Sequence, residues 1–253
     1  MLVAERRDLL LNRLERDGKL VAKDLARELR VSEDSVRRDL RELAGAGLCE
    51  RVYGGAVPVS RALADYGARA AVEPESKSRV ARRAAALISP GDRVILDGGT
   101  TTLAVVRALP HDLKATVITH SPTIAVALID HPGIEVFVLG GRIYKHSAVA
   151  CGAVAAEQAA GIRADLFLLG VTGVHPEHGL TTGDAEEAAM KRALAARAAD
   201  TYVLASTEKL GAVSPCSVLA LHDVTAVVTD AVAEDPIVMQ ITGAGAAVVL
   251  ADP

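Results

Sequence analysis

Two stretches of the sequence gather residues that can do chemistry at short spacing. The first holds Ser32, Ser35, Arg37, Arg38 and Arg41. Arginine makes bidentate bonds to guanine edges or to phosphate. Serine hydroxyls and a helix N-terminus suit phosphate oxygens. The second is Asp97-Gly98-Gly99-Thr100-Thr101-Thr102. Its pattern predicts a strand running into a helix. The glycines allow close backbone approach, the helix start offers free N–H groups, and the threonines add hydroxyls, an arrangement that binds phosphate. It matches neither the Walker A loop nor GxGxxG, so a nucleotide is not indicated. Both stretches also have plainer readings, as a solvated basic helix face and as a Gly-rich turn capped by threonine.

Other glycine-rich loops follow predicted strands, where open α/β sheets bind ligands. They are Gly140-Gly141-Arg142, Gly170-Val171-Thr172-Gly173 and the run from Gly179 through Thr181 to Asp184. Glu186, Glu187 and Lys191 lie on the next helix. Glu187 and Lys191 are an i, i+4 pair, which also describes an ordinary surface ion pair. Lys209 follows a later strand and either offers charge to an anion or is exposed. His175 and His178 have no further partners at metal-ligand spacing, and no metal or cofactor is expected. Cys49, Cys151 and Cys216 form no CxxC pair, and Cys151 and Cys216 are expected to be buried apolar residues.

These residues need elements to hold them. Before residue 60 the sequence predicts three helices and a hairpin. Leu9, Leu10 and Leu14 mark the first helix, closed by Asp17-Gly18. The second spans 23–29 and carries Lys23. Ser32 caps the third, in which Val36, Leu40 and Leu43 face inward. Arg37, Arg38 and Arg41 then face outward with Ser35. Runs 48–53 and 56–59 flank Gly54-Gly55 as a hairpin, with Arg51 and Tyr53 on this wing. The pattern is a winged helix-turn-helix over 1–60, a mixed polar linker over 61–75 and an α/β domain over 76–253. In the latter, helices at 78–88, 102–109, 122–129, 153–160, 184–199 and 236–242 alternate with strands at 93–97, 116–120, 134–139, 166–171, 201–206, 226–229 and 246–250. These strands read as apolar on both faces, which suits a parallel sheet covered by helices.

The chain has 253 residues and a net charge of −4, which on its face disfavours a nucleic-acid partner. By region, residues 1–60 hold 12 Lys/Arg against 11 Asp/Glu, so the acidity belongs to the remainder. Four Tyr, two Phe and no Trp argue against a stacking platform for single strands and leave duplex groove reading open. The charged N-terminus has no signal-peptide core, and no run approaches the ~20 apolar residues of a membrane span, so a cytoplasmic protein is expected.

Residues 32–40 (SEDSVRRDL) and 51–56 (RVYGGA) resemble the signature of the DeoR family of bacterial transcriptional regulators, and the resemblance runs over nearly the whole chain. It implies a second domain similar to the ribose-phosphate isomerase and coenzyme A transferase fold group. It also implies a double-stranded DNA operator, a phosphorylated sugar effector and a homodimer or homotetramer. Asp97 to Thr102, Gly140, Gly141, Gly170, Gly173, Thr181, Asp184, Glu186, Glu187, Lys191 and Lys209 match the family's sensor pattern. In the family, Asp39 fixes an arginine rather than touching DNA. This sequence departs with Ser at position 35 where the family usually has Thr, Ser at 206 where it commonly has Asp, and Glu at 208 where it has Ser. A carboxylate at 208 facing the pocket would oppose a phosphate. The expected function is a repressor of carbohydrate genes relieved by a sugar phosphate. The alternatives are a sugar-phosphate isomerase with an appended DNA-binding domain, and a constitutive regulator with an unresponsive sensor.

Overall fold

Three amphipathic helices near the N-terminus share one apolar seam. Leu10 and Leu14 of α1 (Val3–Asp17), Leu25 of α2 (Ala22–Leu29) and Val36, Leu40 and Leu43 of α3 (Glu33–Gly45) close into a single core. The computed structural model describes residues 3–58, 67 and 71–251. Arg30 takes a left-handed conformation, φ 54°, which ends α2 and sets the turn. Ser32 starts α3 by accepting a hydrogen bond from the Ser35 N–H. The expected hairpin forms as β2 (Glu50–Val52) and β3 (Gly55–Val57). A third strand, β1 (Leu20–Val21), pairs antiparallel with β3, Leu20 opposite Ala56. Two residues are too few for any alternation to be visible in the sequence.

Asp39 is buried on α3 and takes Arg6 Nε at 2.5 Å and Arg7 Nε at 3.4 Å. It therefore fixes arginines, as expected, and those arginines come from α1. These pairs tie α3 to α1.

The second domain is built on a seven-stranded sheet in which every paired neighbour is parallel. Across it lie β15 (Val248–Leu250), β14 (Ala226–Thr229), β12 (Ala198–Leu204), β9 (Ala164–Gly170), β4 (Arg93–Leu96), β5 (Ala115–Thr119) and β6 (Ile134–Val138). Along β9, Leu166 and Leu168 enter one core cluster while Phe167 and Leu169 enter the other. The period-2 alternation thus feeds two apolar layers. Helices α4 (Pro74–Ala85), α5 (Thr100–Ala108), α6 (Pro122–Leu128), α7 (Ala153–Ala160), α8 (Ala185–Ala195) and α9 (Pro236–Gly243) connect and cover the strands.

Several expectations need correction. The helix expected at 78–88 begins at Pro74, since proline suits the first helical turn. The rest of the expected linker falls largely outside the described residues. The helix expected at 184–199 stops at Ala195, and the following strand starts at Ala198 rather than 201. Alanine runs carry no boundary signal. Strand β6 is not apolar-covered on both faces: Phe137 is 52% and Val138 48% exposed, because β6 ends the sheet. Short antiparallel pieces add to the frame. They are β7 (Arg142–Tyr144) with β8 (Val149–Cys151), and β10 (Gly173–His175), β11 (Gly179–Thr182) and β13 (Cys216–Ser217).

Candidate effector pocket and nucleic-acid interface

The sheet order fixes where a ligand cleft must lie. From β4 the chain steps to β5 and β6 on one side, while β9 lies on the other. A crevice opens beyond the carboxyl ends of strands at such a switch point. Gly98 follows β4 and Gly170 closes β9, and both line one cleft. A side chain at Gly98 would run into Val149, so only glycine fits there. Gly99 caps α5 with φ +122°, a conformation L side chains rarely adopt. The N-terminal residues Thr100, Thr101 and Thr102 then border the cleft.

Beneath this loop lies a buried charge cluster. Asp97 Oδ2 takes Lys191 Nζ at 2.5 Å and the Gly170 N–H at 2.9 Å. Asp97 Oδ1 takes the Gly98 N–H at 2.8 Å and faces His120 Nε2 at 2.8 Å. The other ring nitrogen, Nδ1, lies 2.8 Å from the Ala150 carbonyl. Lys191 also meets Glu187 at 3.4 Å, and Glu187 accepts from Thr182 Oγ1 at 2.6 Å. Burial pushes the Asp97 carboxyl up, but the charges and hydrogen bonds of Lys191 and His120 outweigh it and hold it far below the usual range. Burial likewise lowers Lys191, and Asp97 and Glu187 overturn that and raise it. Lys209 Nζ reaches Thr101 Oγ1 at 3.2 Å, which ties a cation to the start of α5.

Of the sequence-predicted sensor residues, Gly98, Gly99, Thr100, Thr101, Thr102, Gly170, Thr172, Glu187, Lys191 and Lys209 line the cleft. Asp97 supports it from below. Gly140, Gly141 and Arg142 do not line it. The β7–β8 hairpin turns them aside: Gly140 N–H bonds Gln158, and exposed Arg142 pairs with Glu186. Gly173 and Thr181 are buried behind the cleft, where the Ser214 N–H bonds Thr181 Oγ1 at 3.0 Å. Asp184 caps α8. Sequence reasoning missed Lys77, Ser147 and Val72, which come from remote segments with no motif. Glu208 also lines the cleft.

The first domain presents Lys23, Arg38, Arg41, Arg51 and Tyr53 to solvent. Arg37 is exposed too and pairs with Glu33 at 2.7 Å. Ser32 and Ser35 share a 2.8 Å hydroxyl contact at the start of α3. Arg37 from α3 and Arg51 and Tyr53 from the wing border one depression.

A family model described as the DeoR-like helix-turn-helix domain matches residues 6–62, and one for the DeoR C terminal sensor domain matches 72–231. The chain belongs to the DeoR family. The transcriptional repressor GlcR of Bacillus subtilis is 34% identical, covering 89% of this chain and 88% of its own. The transcriptional regulator GlpR of Haloferax volcanii is 34% identical over 98% of each chain. Among solved structures, a ribose 5-phosphate isomerase A from Methanocaldococcus jannaschii aligns with 54% of each chain at 18% identity and a TM-score of 0.41. No helix among the described residues of this DeoR-family protein is long and apolar enough to cross a membrane.

Proposed function

We propose that this protein is a sequence-specific regulator that represses carbohydrate genes and releases DNA when a phosphorylated sugar fills the cleft. The observation that carries it is the pairing, in one chain, of an exposed three-arginine helix with a cleft edged by the N-terminus of α5. Arg37, Arg38 and Arg41 supply base and phosphate contacts, with Lys23, Ser32, Ser35, Arg51 and Tyr53 placed for the backbone. The N–H groups of Gly99–Thr102 and Lys209 receive the phosphate. Paired half-sites call for paired domains, hence a cytoplasmic homodimer or homotetramer. Asp97 and Glu187 are already committed to Lys191, which favours a positioning role over proton abstraction and so a sensor over an isomerase.

Footprinting on the DNA upstream of its own gene and of neighbouring genes tests the reading. Arg37→Ala and Arg38→Ala should each weaken specific binding by about tenfold or more, at a folded circular dichroism spectrum. Unchanged protection by both folded variants overturns it.

A further inference from the structure

Glu208 lines the cleft with a carboxylate that a bound phosphate leaves unused. It sits in the 3-10 turn Thr207–Lys209. Ser206 Oγ donates to Glu208 Oε1 at 2.7 Å and so pins the carboxylate. The second oxygen, Oε2, is shut off from solvent, and no donor among the described residues meets it. A buried carboxylate oxygen without a donor is costly, and folded proteins rarely leave one. A ligand in the cleft can supply the missing donor. A phosphate oxygen cannot serve, because two anions repel. The ligand must bring an O–H or N–H donor of its own, with its phosphate seated elsewhere, at the start of α5.

We infer that Glu208 is a specificity-determining residue: its Oε2 accepts a hydrogen bond from a hydroxyl or ammonium group of the effector. The cleft then selects phosphorylated polyhydroxy or amino compounds over bare phosphate esters. This rests on the phosphate reading above. It also explains how a carboxylate and a phosphate share one cleft.

Isothermal titration of the full chain tests it with four probes: inorganic phosphate, methyl phosphate, a hexose monophosphate and its amino-sugar counterpart. The wild type should bind one of the two sugar esters at least about tenfold more tightly than methyl phosphate, in line with a charge-assisted hydrogen bond. Glu208→Ala should erase that preference. The isosteric Glu208→Gln keeps an acceptor oxygen and a near-native shape. It should retain part of the preference for a hydroxyl donor and lose it for an ammonium donor, which distinguishes the two. Equal wild-type binding of methyl phosphate and both sugar esters overturns the Glu208 role alone, as does a preference kept within about twofold in both variants. Wild-type protein that binds none of the four overturns the phosphate reading, and this inference with it.

Discussion

Asp97 occupies a fully buried position with four hydrogen-bonding neighbours, and its ionised state is what binds them together. Lys191 and Glu187 complete the cluster at 2% and 3% exposure. Buried charges hold only while each has its counterpart, since removing one partner strands the other away from water. Asp97→Asn should therefore cost about 3–5 kcal/mol in urea unfolding. Loss of less than about 1 kcal/mol, the range of an exposed pair, contradicts this account. Arg37 illustrates the opposite case. Its pair with Glu33 is half-exposed and one helical turn apart, worth a few tenths of a kcal/mol. Such a pair can be given up at little cost.

At the scale of elements, the β10–β11 hairpin carries a titrating group. His175 is 5% exposed, and its Nδ1 accepts the N–H groups of Glu177 at 3.1 Å and His178 at 3.3 Å. Burial, the His178 ring and Lys19 push its pKa down to about 4 from 6.5, while Glu177 pulls the other way. The folded ring stays neutral while the unfolded ring takes a proton, so stability is full above pH 6.5 and drains as pH falls towards 4. His175→Gln should flatten the fall in melting temperature across that window relative to the wild type. Parallel curves for the two proteins contradict the assignment. Elements like this hairpin also mark where the sequence stopped being legible. The loop from Asp97 to Thr102 could be read as a cleft loop because its strand, glycines and helix start are contiguous in sequence. The exposure of the α3 arginines was legible from the apolar spacing of Val36, Leu40 and Leu43. Gly140, Gly141 and Arg142 read as cleft residues because they follow a strand, yet the β7–β8 pairing carries them away. His120 and Lys77 reach the cleft region through packing that no local pattern encodes.

At the scale of the molecule, the two domains meet near the turn that ends α1. Lys19 Nζ lies 3.2 Å from Glu177 Oε1, the one ion pair joining them among the described residues. Lys19 directly precedes β1, which pairs with the wing strand β3. Glu177 follows β10, whose Val174 carbonyl accepts the Gly211 N–H at 2.8 Å. Gly211 lies two residues beyond Lys209, the cation tied to the start of α5. A continuous set of contacts therefore runs from the Lys209 turn through β10 and Lys19 to the strand that pairs with the wing. Both side chains are more than half exposed, so the pair itself is worth at most about 1 kcal/mol. Its consequence belongs to coupling, measured as the ratio of operator affinities with and without a saturating hexose monophosphate. Glu177→Lys places two cations together and should reduce that ratio by up to about fivefold. The exchanged pair Lys19→Glu with Glu177→Lys should bring it back. A ratio that the exchange leaves as low as the single variant places the coupling elsewhere, because only a direct pair is indifferent to which partner carries which sign.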